Sequence, residues 1–433
     1  MTELRQRLAA ILTGIGILYL GQALLTTVIG VRMSIENFNA LSIGVITSAF
    51  YVGGVLGSQL CSRVVKRVGH IRAFTIFAAL LASSALVHTL ILLPWVWALL
   101  RAVSGFSIYG LYLVAESWLN AAVTPTIRGR VLSIYMIITF VALTFGQLLL
   151  NAGDPSGYHL FGISGIVFAL ALIPVAITRT TAPIEMTTEH LSLGRLFRLT
   201  PFGLIGSFAS GMAIEAFLSL GAVYAEKSGF STGEISLFMS APIVGGLLLQ
   251  WPFGWLSDRY DRRWTLLAIG AGTGLTAGAV VGLSDAPFAL LLVIVAIHGG
   301  MLFSLYPLSL AHANDSAEAN QFVELSRGLL FAYFLGALIA PFLGSLMMEP
   351  LGPTGLFVEI ALISGSLMMF GLYSQWRRRP VPVHEQQEFY PYGPHTTTEV
   401  YGMDPRQRAS STEGPKSPPS DGAAIEPRDA SSR

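Results

Sequence analysis

The fold is decided by one charged stretch, Gly254-Trp255-Leu256-Ser257-Asp258-Arg259-Tyr260-Asp261-Arg262-Arg263, which interrupts an otherwise apolar part of the sequence. An apolar run from 234 to 256 leads into the charges, and a second run from 264 to 283 follows them. Each run has about the 20 residues that an α-helix needs to cross the roughly 30 Å of hydrocarbon in a bilayer. The pattern predicts two membrane-spanning helices joined by a short charged loop.

Runs of the same kind fill most of the chain on both sides of this stretch. The 433 residues are 53% hydrophobic and 12% charged, whereas soluble domains have about 25% charged residues. We predict an all-α integral membrane protein, because a helix satisfies all of its own backbone hydrogen bonds in lipid. Its twelve transmembrane helices are expected near residues 8 to 31, 40 to 62, 72 to 92, 95 to 119, 131 to 151, 158 to 178, 200 to 224, 234 to 256, 264 to 283, 287 to 311, 325 to 348 and 354 to 376.

The loop lysine and arginine residues are distributed asymmetrically in this topology. If both termini are cytoplasmic, only Arg32 and Lys227 among the basic residues of the loops lie outside. Such residues accumulate on the cytoplasmic side of membrane proteins, so we expect a multi-pass protein of the cytoplasmic (inner) membrane with both termini inside. The net charge of +1 provides no broad field to attract nucleic acid.

Two helical blocks and two polar segments define the expected domains. Residues 1–178 and 200–376 each hold six helices, and 179–199 is a polar cytoplasmic linker. From 377 to 433 the composition changes to Pro, Ser, Thr, Glu and Gly with few aliphatic residues. Such a segment buries too little apolar surface to offset the loss of chain entropy. We therefore expect a disordered cytoplasmic tail.

The second block repeats part of the first. Val52-Gly53-Gly54 recurs 192 residues later as Val244-Gly245-Gly246, and Tyr135 recurs 198 residues later as Tyr333. Parallel six-helix repeats are related by an axis along the membrane normal and place a solute site between the halves, near the middle of the bilayer. This arrangement favours alternating access over a fixed pore.

The quoted stretch resembles the loop signature of the major facilitator superfamily. The equivalent loop of the first half, Lys66-Arg67-Val68-Gly69-His70-Ile71-Arg72, keeps the arginine and glycine but has Lys66 where the family usually has aspartate. Arg101-Ala102-Val103-Ser104-Gly105 on span four also resembles the Arg-x-x-x-Gly element of the superfamily. The resemblance covers roughly residues 8 to 376.

Two further motifs, Ala115-Glu116-Ser117-Trp118 and Gln250-Trp251-Pro252, are similar to the YcaD-like branch of this family. The resemblance implies the MFS fold of two pseudo-symmetric six-helix bundles. It also implies a secondary transporter whose cavity is lined by spans one, four, seven and ten.

Glu215 is the deepest acidic residue of the chain, about fifteen residues into span seven. A charged side chain at the centre of a membrane helix costs about 2.5 to 3.5 kcal/mol on insertion scales. Ser207, Gly211, Glu215 and Ser219 recur at a spacing of four and form one narrow polar stripe. We predict that Glu215 is a proton-coupling acid or a ligand of the solute.

Spans one, four and ten also carry polar residues. They are Gln22, Arg101, Tyr112, Glu116 and His298. Arg101 is predicted to be a charge partner or an anion contact, with Gln22 and His298 as hydrogen-bonding wall residues. The alternative for Arg101 and Glu116 is a buried ion pair that only fixes helix packing. A lone histidine such as His298 also fits a simple packing role.

The charged loops predict a latch that closes the cytoplasmic side. Asp258 can accept hydrogen bonds from N–H groups at a helix start, where the helix dipole favours an anion. By analogy with the family, that start is span five, beside Arg128 and Arg130.

The other half carries charges of reversed polarity, so we predict a second latch there. Lys66 and Arg67 are basic, and the loop before span eleven is acidic at Asp315, Glu318 and Glu324. The remaining basic residues of the quoted stretch belong either to this gate or to a solvated cytoplasmic face: Arg259, Arg262 and Arg263.

The sequence as a whole predicts a secondary active transporter that moves a small solute by alternating access and is coupled to protons. We expect a proton or solute gradient to drive it, since no nucleotide-binding motif is present. We also expect a monomer without a cofactor or metal. A mostly apolar cavity favours a small amphipathic or hydrophobic solute. Two alternatives are a transporter-derived sensor that signals through its tail and a membrane-embedded lipid enzyme. For the enzyme, the sequence contains neither His-Glu-x-x-His nor Gly-x-Ser-x-Gly.

Overall fold

The computed structural model describes residues 2–124, 126–177, 193–316, 321–377, 381–392 and 396–404. Every regular element in these residues is helical. The α-helices are α1 (Thr2–Ile35), α2 (Ala40–Val68), α3 (His70–Val87), α4 (Pro94–Ala122), α5 (Arg128–Leu148), α6 (His159–Leu170), α7 (Leu172–Ile177), α8 (Leu193–Leu199), α9 (Pro201–Lys227), α10 (Thr232–Arg259), α11 (Arg262–Gly282), α12 (Phe288–Leu302), α13 (Leu305–Asn314), α14 (Phe322–Leu351) and α15 (Gly355–Arg377). Short 3₁₀ helices lie at Leu149–Ala152, Val383–Glu385 and Thr398–Met403.

The predicted spans correspond to these helices. Eleven helices of the described chain are long and apolar enough to cross a membrane, and a shorter apolar helix, His159–Val175, occupies the position of the sixth span. The predicted all-α membrane fold is therefore confirmed. Of the predicted linker, α8 is described, and residues 178–192 lie outside the described part of the chain.

The tenth span is broken into α12 and α13. Pro307 lacks the N–H that would bond the carbonyl of Phe303 four residues earlier, and its ring disfavours a continuous helix. The side-chain amide of Gln250 on α10 donates to this carbonyl at 3.2 Å. The break therefore leaves no unsatisfied carbonyl at Phe303 inside the bundle.

Equivalent helix pairs in the two halves pack in the same way. A Cβ atom on Gly53 would lie 1.9 Å from the carbonyl oxygen of Ala102, and one on Gly245 would lie 1.8 Å from that of Ala296. Glycine permits this close backbone approach between membrane helices. Thus α2 packs on α4 as α10 packs on α12, in agreement with the repeat predicted from the sequence.

Replacing Gly53 by alanine should lower the thermal stability of the purified protein. The new methyl group has no room beside the backbone of α4, and overpacking of this kind costs about 1–3 kcal/mol. Gly54→Ala is the matched control, because a Cβ there meets no atom within 4 Å. Melting temperatures of the two variants in the same detergent test the prediction, and equal values would contradict it.

The two halves touch directly at one end of the bundle, where α1 and α9 end. Ser34 of α1 donates a hydrogen bond to Glu226 of α9. Asn151 donates to Ser236 of α10 at 2.7 Å. We call this end the closed face. The opposite end, where α2 and α10 end and α5 begins, is called the basic face.

The tail departs from its predicted disorder over residues 381–392 and 396–404, which pack at the basic face. Tyr392 and Tyr401 are among the largest fully buried side chains, and Val400 and Met403 are buried with them. All four aromatic residues of the tail lie before residue 405. The composition of the whole tail therefore does not reveal that its first part can pack. Residues 405–433 lie outside the described chain.

Candidate functional site

Glu215 lies on α9 at the interface between the halves and is fully buried. The hydroxyl of Tyr51 on α2 donates to one carboxylate oxygen at 2.6 Å. The hydroxyl of Tyr333 on α14 donates to the other oxygen at 2.5 Å. Ser219 contacts the Tyr51 hydroxyl at 3.0 Å. Glu215 and Ser219 of the polar stripe therefore contact Tyr51 of the N-terminal half, and one carboxylate links both halves.

A small cavity of about 20 Å³ lies beside this cluster. A space of that size holds about one water molecule, so the site must widen to admit a solute. Gln22 and Gly105 contribute to its wall. Most of the lining is aromatic: Phe50, Tyr51, Tyr109, Tyr112 and Phe334.

Gln22 and Tyr112 bring unpaired polar atoms to this cavity. The amide nitrogen of Gln22 donates to Thr26 at 3.1 Å, but its Oε1 atom has no hydrogen-bond partner in the described structure. The hydroxyl of Tyr112 is also buried without a partner there. An unsatisfied buried polar group costs about 1–3 kcal/mol. A solute or water that bonds to these atoms would recover that free energy.

Arg101 stacks on an aromatic ring instead of pairing with an acid. Its guanidinium carbon lies 4.3 Å from the centre of the Phe50 ring, and its Nε and Nη1 atoms are buried without partners in the described chain. The alternative of an Arg101–Glu116 ion pair is not realised, because fifteen helical residues separate them by about 22 Å. The positive charge is instead held behind a wall residue of the cavity.

Glu116 lies near the basic face and binds the tail. Tyr135 donates to Oε1 at 2.5 Å, and the backbone N–H of Thr397 donates to Oε2 at 2.9 Å. The repeat positions Tyr135 and Tyr333 thus each donate a hydrogen bond to a buried glutamate. Sequence reasoning selected Glu116 but not its partner, which lies 281 residues away.

His298 packs inside the C-terminal half, away from the lining of the cavity. Its Nδ1 atom lies 2.9 Å from the Thr276 hydroxyl of α11. Its ring contacts those of Phe217 and Phe357, with centroids 6.4 and 5.8 Å away. This placement fits the packing alternative for His298.

The acids predicted to form the latches bind other partners in this conformation. Arg262 donates to Asp258 at 2.6 Å and to both carboxylate oxygens of Asp315 at 2.8 Å. The backbone N–H of Phe389 donates to Asp258 at 3.1 Å. In the described chain Asp258 therefore binds the tail rather than the start of α5. Asp315 is bound by Arg262 of its own half and also accepts from the backbone N–H of Gln387 in the tail at 3.0 Å.

The other gate residues are spread over the basic face. Arg259 stacks on Trp255 at 4.2 Å, and Arg263 pairs with Asp261 at 2.9 Å. Glu318 lies outside the described residues. The remaining positions are half-buried or exposed: Lys66, Arg67, Arg128, Arg130 and Glu324. The first predicted latch, between Asp258 and the start of α5, is therefore not formed among the described residues.

Comparison with known proteins decides the family. The sequence model described as Major Facilitator Superfamily matches residues 11–321 and, in a second match, residues 203–402. The chain belongs to the major facilitator superfamily. As a superfamily member it is a transport protein and not an enzyme, which removes the lipid-enzyme alternative.

Named superfamily relatives cover most of the chain. The uncharacterized MFS-type transporter YcaD of Escherichia coli (strain K12) is 27% identical over 368 residues, which is 84% of this chain and 94% of that protein. The structure of nucleoside transporter NupG has a TM-score of 0.71 at 14% identity, covering 88% of this chain and 100% of that one. A D-xylose-proton symporter gives 0.68 at 14% identity, covering 88% and 99%. These structures confirm the MFS fold.

Tyr51 carries no sequence motif that predicts a site residue, and Tyr333 is marked in the sequence of this superfamily member only as a repeat of Tyr135. Tyr51 immediately precedes the repeated Val52-Gly53-Gly54 motif, which was the available signal. Tyrosine is common within apolar helices, so the residue type alone does not identify Tyr51 as a site residue. Among the described residues, no three His, Cys, Asp or Glu side chains come together as metal ligands.

Tyr51→Phe should shift the conformational equilibrium of this superfamily member away from the state in which the two halves meet at the closed face. It removes a hydrogen bond between the halves, and a bond to a charged group contributes about 1.5–3 kcal/mol, or roughly a tenfold or larger change in the conformational ratio. Tyr333→Phe is the control, since it removes a bond within the C-terminal half. Distances between spin labels at Asn37→Cys and Ser228→Cys, in a Cys61→Ala background, report the shift. Equal distance distributions in the two variants would refute the expectation.

Proposed function

We propose that this protein is a secondary active transporter that moves a small aromatic or amphipathic solute by alternating access, with Glu215 as the proton-coupling group. The observation that supports this most strongly is the hydrogen bonding of one buried carboxylate by tyrosines from both halves. Hydrogen bonds to an ionised group are roughly twice as strong as neutral ones. Protonation of Glu215 would therefore weaken the link between the halves and favour the change of conformation.

The lining of the cavity supports the proposed solute class. Aromatic side chains stack on planar or apolar groups. The free Oε1 of Gln22 and the hydroxyl of Tyr112 can bind polar substituents at the same time. NupG is named as a nucleoside transporter, and a nucleoside combines these two characters. At 14% identity this chain shares only its fold with NupG. Nucleosides are therefore the first ligands to test and not an assigned substrate.

We also propose the orientation of the protein in the membrane. The basic face is placed in the cytoplasm, because loop lysine and arginine residues concentrate there, and both termini lie on that side. A single chain contains both halves of the cavity, so we expect a monomer to transport. The bilayer and a small solute, with protons, are then its principal partners.

Ligand binding followed by transport tests this proposal. The full-length protein is first screened by thermal unfolding against nucleosides, nucleobases, sugars and aromatic amino acids. A ligand at 100 times its Kd should stabilise the protein by about 2.7 kcal/mol. The stabilising compound is then used as a radiolabelled solute in proteoliposomes with an imposed pH gradient. The pH gradient is expected to drive movement of the solute. A solute flux that is the same with and without the pH gradient would contradict proton coupling.

A further inference from the structure

The first part of the described tail is held by the C-terminal half at the basic face. The backbone N–H groups of Gln387 and Phe389 donate to Asp315 and Asp258 at 3.0 and 3.1 Å. Arg262 donates to the carbonyl of Gln387 at 2.7 Å. These charge-assisted bonds to the backbone fix the position of this segment whatever its side chains are.

Helix α10 is shaped to receive the next residues. A Cβ atom on Gly254 would lie 2.1 Å from the ring of Phe389, so glycine leaves the space that this ring fills. Gln250 donates to the carbonyl of Tyr392 at 3.0 Å. It is the same amide that satisfies Phe303 at the break between α12 and α13. The C-terminal half thus offers this segment both a groove and a hydrogen-bond donor.

The second part of the tail binds the N-terminal half and reaches back to α13. Glu116 of α4 accepts hydrogen bonds from the backbone and the hydroxyl of Thr397. A Cβ atom on Gly402 would lie 2.0 Å from the Asn120 amide nitrogen, so the tail backbone lies against α4. Tyr401 is fully buried, and its hydroxyl bonds to that of Tyr306 on α13. This segment therefore contacts both halves.

The local electrostatics also mark an enclosed site. Burial raises the pKa of the Glu399 carboxyl, an effect that the nearby Arg327 guanidinium partly offsets. Val400 and Met403 have no solvent exposure. The segment is therefore enclosed among helices rather than lying on a surface.

We propose that residues 396–404 are an internal plug, which binds between the halves and must leave before the transporter can change conformation. In alternating access the halves rock about a fixed site, so α4 and α13 must approach each other when the basic face closes. Tyr401 and its neighbours occupy the space between those helices. The plug rests on the proposed function, since it regulates movement that a transporter requires.

Docking of the plug can be measured without any solute. In a Cys61→Ala background, Asn120→Cys with Gly402→Cys should form a disulfide under oxidation, because a Cβ added at Gly402 would lie 2.7 Å from Asn120 Cγ. Ser62→Cys with Gly402→Cys is the control pair, since Ser62 is exposed on α2, and it should stay unlinked. A charged maleimide should label Tyr306→Cys in a chain ending at residue 380 but not in the full-length chain. Absent cross-linking together with equal labelling would overturn the plug.

The effect on transport is then measured with the radiolabelled compound found by the ligand screen. Ending the chain at residue 380 should raise the initial rate severalfold, and the Asn120–Gly402 disulfide should stop transport until dithiothreitol is added. Gly402→Leu should act like the truncation if the truncated chain folds poorly. His384→Ala, at an exposed tail position, should change nothing. If cross-linking shows that the tail is docked but its removal leaves the initial rate of transport unchanged, the plug is overturned. A docked tail with no transport in any variant refutes the proposed function instead.

Discussion

Glu215→Gln should abolish the coupling of solute movement to protons while preserving solute exchange. Glutamine keeps the size of the side chain, and its amide oxygen can accept from one tyrosine while its amide nitrogen donates to the hydroxyl of the other, but the amide cannot take up and release a proton. One proton per solute carries about 2.3 kcal/mol at 100 mV, which corresponds to roughly a 50-fold concentration ratio. In the variant this ratio should fall to about one. Concentrative transport and counterflow exchange in proteoliposomes measure the two activities separately.

Glu359→Gln is the matched control for this experiment. Glu359 is also a buried glutamate in a membrane helix, but its described contacts do not join the two halves. Coupling should therefore survive in Glu359→Gln. If Glu215→Gln keeps a full concentration ratio, the proton is carried by another group and the proposed role of Glu215 is wrong.

Arg262→Met should strongly destabilise the protein. The Arg262 side chain is 1% exposed and pairs with Asp315, which is 2% exposed. Removing one partner of a buried ion pair costs about 3–5 kcal/mol, because the other charge is left uncompensated. The variant should also release the tail, since Arg262 holds both Asp258 and Gln387. The free energy of unfolding and the Asn120–Gly402 cross-link report these two effects.

Arg263→Met provides the comparison for Arg262→Met. Arg263 follows directly in sequence but pairs with Asp261 where both side chains are partly exposed, and such pairs contribute about 1 kcal/mol or less. The double variant Arg262→Met/Asp315→Leu should recover part of the lost stability, because it removes the stranded charge as well. Similar stability of the two single variants would show that burial does not set the strength of the pair.

Membrane helices could be predicted because their cause is local. Each needs a run of apolar residues of fixed length, and this property is visible in the sequence without any partner. The cost of placing a carboxylate in hydrocarbon likewise marked Glu215 before its contacts were known. The repeat of Val52-Gly53-Gly54 is visible in the sequence because close packing between helix backbones requires glycine at the same position in each half.

The partners of charged residues could not be predicted in the same way. The sequence predicts that Asp258 binds the start of α5. That contact depends on which conformation the chain adopts and on which other segment lies beside Asp258. The tail binds Asp258 instead. The composition of residues 377–433 as a whole is polar, so it does not reveal the short aromatic segment that makes this contact. The position of His298 inside its own half also depends on helix rotation, which a single polar residue does not determine.

Proton movement during solute flux is the most direct test of Glu215 as the proton-coupling group. Proteoliposomes are loaded with a pH-sensitive dye, and the solute identified by thermal stabilisation is allowed to flow down its own gradient without a membrane potential. Solute flux should change the internal pH with the wild-type protein and not with Glu215→Gln. Solute flux through the wild-type protein at constant internal pH would contradict it.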